Sequence, residues 1–389
     1  MRLIHFLRHY PEHSGTARAV QGQARAFARL GHEVEIWTSR SERDPADAAA
    51  GVTVCTIGNG GRRFLSAMRK TLRERGRPDV VVLHGQFSPV VVSNALMLRC
   101  MKQPYIVCSH GVYHPAMLSR GVLKKRMFGP IERYALRGAL AVQLLAADHV
   151  GHLENFGVRG RTIIMPNGFD PSFVPSLAAR EAGGDGITRA LFLGRLDVYT
   201  KGLDLLVAAA GRIAAAQKLR LTLMGPHWRD VDTLRAQAAR FGDAIEFRAA
   251  DYIRHPTQII SEYDLLVLPS RHEGFGLSAL EAMVAGAPVL ASTESGIAEH
   301  VSASGGGWLC EPTVDSIATM LKTAVSQRAE WVKMGRLGRE YAYANLTWDA
   351  IGARGAKAFE ELCGAKSRIE PEPPTLRSHR RANDMGAGS

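Results

Sequence analysis

Two parallel-sheet α/β domains facing a central cleft are the fold that this sequence predicts, and three observations predict it. At 389 residues the chain is longer than a single hydrophobic core usually serves. Short β-rich runs alternate with helix-period segments in two successive series, the pattern of parallel strands joined by crossover helices. Between the two series the stretch 171–188 is rich in Pro, Gly, Ala and charge, and reads as a linker.

In the first series, strands are expected at 3–7, 33–38, 52–57, 80–83, 105–108, 141–144 and 162–165. A helix is expected over 16–30, where Arg and Gln interrupt an apolar face at helical period. Pro166-Asn167-Gly168 then stops the pattern. The second series places strands at 189–194, 220–224, 245–247, 265–268 and 289–291, with helices over 202–216, 231–241, 277–285 and 314–327. The division is therefore 1–170 for the first domain, 171–188 for the linker and 189–345 for the second domain. A C-terminal helix over 346–366 is expected to pack back toward the first domain. The segment 367–389, with its Pro, Arg and Gly, supports no packed core and is expected to be disordered.

Composition narrows the class. Hydrophobic residues make up 46% and charged residues 22%, ordinary for a globular protein. Five scattered cysteines without a C-x-x-C pair give no sign of a disulfide framework or a zinc site, and no metal site is expected. No apolar run reaches the ~18–20 residues of a membrane span. The segment after Leu7 is too polar for a secretory signal, so a cytoplasmic protein is expected. The net charge of +12 lies in the first half: through Asp170 there are 24 Lys and Arg against 12 Asp and Glu, and thereafter 25 against 25. Cations concentrate in Arg62–Arg77 and Arg120–Arg137, interleaved with apolar residues such as Phe64, Leu65, Met68 and Leu72. Such basic amphipathic helices dock on anionic lipid, although a solvated face above a core stripe has the same spelling. No nucleic-acid motif accompanies the charge, and nucleic acid is not an expected partner.

The most informative segment is Ser270–Gly286, S-R-H-E-G-F-G-L-S-A-L-E-A-M-V-A-G. A strand, a glycine-rich loop and a helix start in that order present uncapped N–H groups to one small volume, an arrangement suited to an anion. Glu273 and Glu281 at its rim can accept hydrogen bonds from hydroxyls. Phosphate and hydroxyl together describe a sugar nucleotide. An ordinary βα turn with solvated carboxylates has the same local spelling. Earlier in the same series, Gly194-Arg195-Leu196-Asp197 and Lys201-Gly202 follow its first strand and offer a guanidinium fork and an ammonium for a diphosphate.

These motifs, with Pro166–Asp170 (P-N-G-F-D), resemble the signature of retaining GT-B-fold glycosyltransferases of the E-x7-E group, a group related to glycogen and sucrose synthases. The resemblance runs from Gly15 to about Leu346. It implies two Rossmann-like domains, with the acceptor on the first and the nucleotide sugar on the second. It implies that Arg195 and Lys201 hold the donor diphosphate and that Glu281 binds the ribose hydroxyls. Glu273 lies near the transferred sugar, and His110 near the anomeric carbon. Backbone N–H groups of Gly274, Phe275, Gly276, Leu277 and Ser278 contact sugar hydroxyls and the distal phosphate. Gly15 lets backbone approach phosphate or acceptor, although the family often has two glycines there and this chain has Ser14-Gly15. Loops at Gly225 and Tyr252 frame the base. Arg18 reads as a helix-surface arginine that could instead meet an anionic acceptor.

The implied reaction is retaining, metal-independent transfer of a hexose from a GDP- or UDP-sugar to a lipid-linked or saccharide acceptor, without a cofactor. Polysaccharide, lipopolysaccharide or glycolipid assembly is the expected setting, with peripheral contact to the inner face of the membrane. A catalytically inactive sugar-nucleotide-binding scaffold is the alternative. Asp230-Val231-Asp232 spells the metal-binding Asp-x-Asp of another fold but precedes a helical run, and reads better as a helix cap.

Overall fold

The computed structural model describes residues 1–10, 14–40, 45–58, 61–111, 113–118, 122–175 and 186–366. The expected tail at 367–389 and most of the expected linker lie outside the described residues. Two parallel sheets form the frame. The first contains β1 (Arg2–Leu7), β2 (Glu33–Thr38), β3 (Val52–Thr56), β4 (Val80–His84), β5 (Tyr105–Cys108), β6 (Ala141–Leu144) and β7 (Thr162–Ile164), in the order β3-β2-β1-β4-β5-β6-β7. The second contains β8 (Thr188–Leu193), β9 (Leu219–Met224), β10 (Ile245–Arg248), β11 (Leu265–Leu268), β12 (Val289–Ser292) and β13 (Gly307–Cys310), in the order β10-β9-β8-β11-β12-β13.

Runs such as Val80-Val81-Val82-Leu83 and Leu265-Leu266-Val267-Leu268 are apolar on both faces, and all are 0–1% exposed. Strands of that kind need helices on both sides of the sheet, which parallel crossovers supply. In each sheet the order reverses beside the first strand: β1 lies between β2 and β4, and β8 between β9 and β11. Chains leaving two such neighbours turn to opposite faces and leave a crevice beyond their carboxyl ends. The two motif loops of the second half follow β8 and β11, so both open into that crevice.

Each strand expected from the sequence is present, with ends within one residue. β13 was not expected, because Gly305-Gly306-Gly307 reads as a turn. A Cβ on Gly306 would lie 2.7 Å from Gly338 Cα, and one on Gly307 would strike the Val289 backbone, so these glycines serve close packing inside the domain. The helix expected over 231–241 ends earlier, at Ala238, and passes into a 3-10 turn containing Gly242 at φ 56°.

The C-terminal helix Trp348–Lys366 lies on the Gly15–Arg29 helix of the first domain. Phe169 pairs with Thr347: the Phe169 N–H donates to Leu346 O (3.1 Å) and the Trp348 N–H to Phe169 O (2.8 Å). Gly168 admits this crossing, since a Cβ there would meet Leu346 O at 2.9 Å. Asp170 caps the 3-10 turn that follows and pairs with Arg29 at 3.0 Å. The P-N-G-F-D motif is therefore where the outgoing and returning chains cross. Beyond it, the indole of Trp348 occupies the place a side chain on Gly22 would take, and Phe359 meets Phe27 edge to face at 5.3 Å. Glycine inside a helix costs about 1 kcal/mol relative to alanine, and here it admits the indole.

Trp348 is 5% exposed. Trp348→Ala is expected to cost about 3–5 kcal/mol in urea unfolding, with Gly22→Val destabilising through the same contact. Unchanged midpoints in both variants would show that the helix pair is not a stabilising joint.

Candidate functional site

The loops after β8 and β11 are fastened to each other. Arg271 forks onto Asp204 at 2.7 Å through each nitrogen, and its Nη1 also donates to Tyr199 O at 2.9 Å. Bidentate geometry of this kind sets orientation as well as energy. Within the first loop the Thr200 N–H donates to Asp197 Oδ1 (3.1 Å) and the Lys201 N–H to Asp197 O (3.0 Å), which presents the lysine side chain toward the second loop. There Lys201 Nζ donates to the Glu273 carboxylate, and both side chains are largely buried. Gly276 then starts the Leu277–Ala285 helix at φ 105°, a conformation that suits glycine, and no side chain caps that helix start.

The first domain closes on this loop through backbone. A Cβ on Gly111 would lie 2.5 Å from Gly274 Cα, one on Gly274 would strike His110 O, and one on Gly296 would lie 2.5 Å from Gly274 O. Gly15 faces Leu277, with 3.3 Å between a Cβ there and Leu277 Cδ1. Gly15, His110, Gly274 and Leu277 therefore share one seam between the domains. Glu281, 7% exposed, is not free at that seam: Arg18 Nη2 donates to its Oε1 at 2.5 Å. Arg18 was read as a surface residue, yet it spans the cleft to a carboxylate 263 positions away. The pair raises the Arg18 pKa. With the Arg18 side chain 41% exposed, solvent screening keeps its stabilisation near 1 kcal/mol or less.

His110 ends a row of rings. His5 Nδ1 lies 3.0 Å from His84 Nε2, and His84 Nδ1 lies 3.3 Å from His110 Nε2. Burial drives His5 down to about 3 and His110 to about 4, and His84 also falls well below its ordinary value. The row is thus neutral at pH 7, and His110 presents a neutral imidazole to the seam.

The other expected positions are distributed as follows. Arg195 is exposed and its guanidinium lies 4.6 Å from the Trp228 ring centroid, a cation–π contact that sequence reading missed because nothing in the local pattern marks Trp228. Gly225 directly follows β9, and a Cβ there would strike Gly194 O, so its lack of a side chain lets the β8 and β9 loops pack together. Tyr252 is 55% exposed in the loop after β10. Phe275 is 2% exposed, its ring packed against His300, which leaves its backbone for any ligand. Ser278 is half-buried in the first turn of its helix. Asp230 does occupy the N-cap position, but its side chain makes no capping bond there, contrary to the expected cap. Asp232 pairs instead with His227 and Arg235 at 3.5 Å each.

Comparison with known proteins decides the family. Residues 140–336 match the model described as family 4 glycosyltransferase in conflict systems, and residues 14–168 match the glycosyl transferase 4-like domain. The chain belongs to the family 4 glycosyltransferases. It is similar to a glycogen synthase of Mycobacterium tuberculosis, 28% identical over 230 residues that cover 58% of this chain and 54% of that protein. It is also similar to a D-inositol 3-phosphate glycosyltransferase of Geodermatophilus obscurus, 30% identical over 228 residues, 54% of this chain and 50% of the relative. The matched region spans about half the length of these curated relatives. Among solved structures, sucrose-phosphate synthase from Thermosynechococcus elongatus has a TM-score of 0.77 at 21% identity, covering 94% of this chain and all of that one. Anabaena HepE in complex with UDP-glucose has a TM-score of 0.74 at 17% identity, covering 93% of this chain and all of that one. These likenesses establish the GT-B fold.

The histidine row makes stability depend on acid. Free imidazoles titrate near 6.5, so between there and the folded values the unfolded chain binds more protons, and stability falls as pH is lowered. The limiting slope is about 1.4 kcal/mol per pH unit for each buried ring. The urea midpoint is expected to decline from pH 7 to pH 5, and His5→Phe, which keeps a ring in the row, to flatten that decline. An equal slope in His5→Phe would show that His5 titrates normally in the fold.

Proposed function

We propose that the protein transfers a hexose from a nucleoside diphosphate sugar to an acceptor hydroxyl with retention of anomeric configuration. The observation that carries this reading is the cleft at the β8–β11 switch point, where Lys201, Glu273 and an uncapped helix start converge. A departing nucleoside diphosphate develops negative charge, and Lys201, Arg195 and the Leu277 helix start are the positive groups available to it. Cationic side chains would supply this stabilisation without a metal at the phosphates. Glu273 would position the sugar and keep Lys201 oriented until the diphosphate arrives. Glu281 would exchange Arg18 for the ribose hydroxyls, and His110 would approach the anomeric centre as a neutral hydrogen-bonding group. The oxocarbenium-like state would be met by the acceptor oxygen on the face the diphosphate leaves, with no obligatory protein nucleophile.

The donor reading draws support from a neighbour solved with UDP-glucose and another, Arabidopsis thaliana starch synthase IV, with ADP and acarbose. In this chain the base would lie between the Gly225 and Tyr252 loops, with UDP and GDP both open. The acceptor would bind the first domain, in assembly of a surface polysaccharide, lipopolysaccharide or glycolipid. Peripheral membrane contact is supported by one of the two basic stretches. On the Gly61–Glu74 helix Phe64 and Met68 are buried, so its stripe serves the core. On the Val122–Arg137 helix Met127, Ile131 and Tyr134 stand exposed at helical spacing among Arg126, Arg133 and Arg137. No helix among the described residues is long and apolar enough to cross a membrane.

Incubation with a panel of UDP- and GDP-sugars, reading released nucleoside diphosphate, tests the reaction, and no release with any donor and glycan or lipid acceptor would overturn it. With the true donor, Glu281→Ala is expected to weaken binding about tenfold or more, while Lys201→Ala cuts turnover about 10²–10³-fold with a smaller effect on affinity. Full rates in both variants would refute the site.

A further inference from the structure

The described residues hold two groups of side chains of metal-ligand type that the transfer reading does not use in that way: His84, Cys108 and His110, and Asp148, His149 and His152. The first is a poor ligand set. His84 and His110 face each other at 3.3 Å, and burial pushes the Cys108 thiol far above its ordinary range, away from the thiolate a metal needs.

The second set is different. Asp148, His149 and His152 bring one ligand atom each to within 4.8 Å of one another. The two histidines are three positions apart, so they share a helix face. Both Nδ1 atoms are buried and without a hydrogen-bond partner, and His149 is 5% exposed. Such orphaned nitrogens are uncommon in native proteins and call for an explanation. Asp148 supplies an anionic oxygen.

The surroundings reinforce the set. The His114 ring packs edge-on against His152 with centroids 4.7 Å apart, and stacks on His272 of the second domain at 4.4 Å. The His114 Nδ1 accepts from the Ala116 N–H at 3.2 Å, which puts the proton on Nε2, and Nε2 donates to Glu294 at 2.7 Å. These two bonds hold the His114 ring in one orientation beside the set.

We propose that Asp148, His149 and His152 bind a divalent transition metal of the zinc class beside the seam between the two domains. Two imidazoles and one carboxylate suit zinc, cobalt or nickel better than magnesium or calcium, which prefer all-oxygen shells. Tetrahedral bonds of about 2.0–2.1 Å place ligand atoms about 3.4 Å apart, so small rotamer changes close the set. The ligands are side-chain atoms; the N–H groups of the short helix take no part. The site is independent of the donor reading and stands if that reading fails.

The test uses the full chain stripped with a chelator, titrated with Zn²⁺ by calorimetry and with Co²⁺ by absorption. The wild type is expected to take up one equivalent of Zn²⁺ that His149→Gln/His152→Gln lacks or binds at least about 100-fold more weakly. Zn²⁺ should raise the wild-type melting temperature and leave that of the variant unmoved, and Co²⁺ should give a tetrahedral visible band without thiolate charge transfer. Equal stoichiometry and affinity in wild type and variant would overturn the site, as would no uptake by the wild type. Should the double variant misfold, Asp148→Asn at the exposed ligand is expected to weaken binding about tenfold or more; unchanged binding there would also overturn it.

Discussion

The two domains meet backbone on backbone, and the geometry of the cleft depends on that contact. Gly111 leaves β5 of the first sheet and Gly274 follows β11 of the second; a Cβ on Gly111 would strike Gly274 Cα, and one on Gly274 would strike His110 O. Because no side chain intervenes, the carboxyl ends of both sheets face the same narrow volume. His110 reaches it from one side, and Lys201, Glu273 and the start of the Leu277 helix reach it from the other. A side chain at either glycine would hold the sheets apart and separate the groups that the site joins.

Most of the frame was legible because parallel strands buried on both faces spell themselves as short apolar runs, and because crossover helices carry a different period. β13 escaped because its glycines have a tertiary purpose, close approach to Val289 and Gly338, that local chemistry reads as a turn. Of the candidate groups that the fold brings together at the seam, those in loops that follow a strand were legible in sequence: His110, Lys201, Glu273 and the glycines after it. Pairing across the cleft was not legible. Arg18 spells an amphipathic helix surface, and only the closed fold brings it to Glu281. The same holds for His114, His272 and Glu294, which share no spacing and meet through three loops of two domains.

Ion pairs within the cleft act less as glue than as place-holders. Lys201 is held by Glu273 and Glu281 by Arg18, so each of these four groups already faces an opposite charge. Such pairs contribute little net stability when part of the pair is wet. They do keep the carboxylates and the ammonium oriented, and they spare the seam an uncompensated charge.

The crossing at Phe169 and Thr347 carries a mechanical consequence. Both covalent connections of the second domain pass this one point, tied together by two main-chain hydrogen bonds, and the returning helix is then anchored on the first domain. Any movement of the second domain as a body would therefore have to hinge at this crossing.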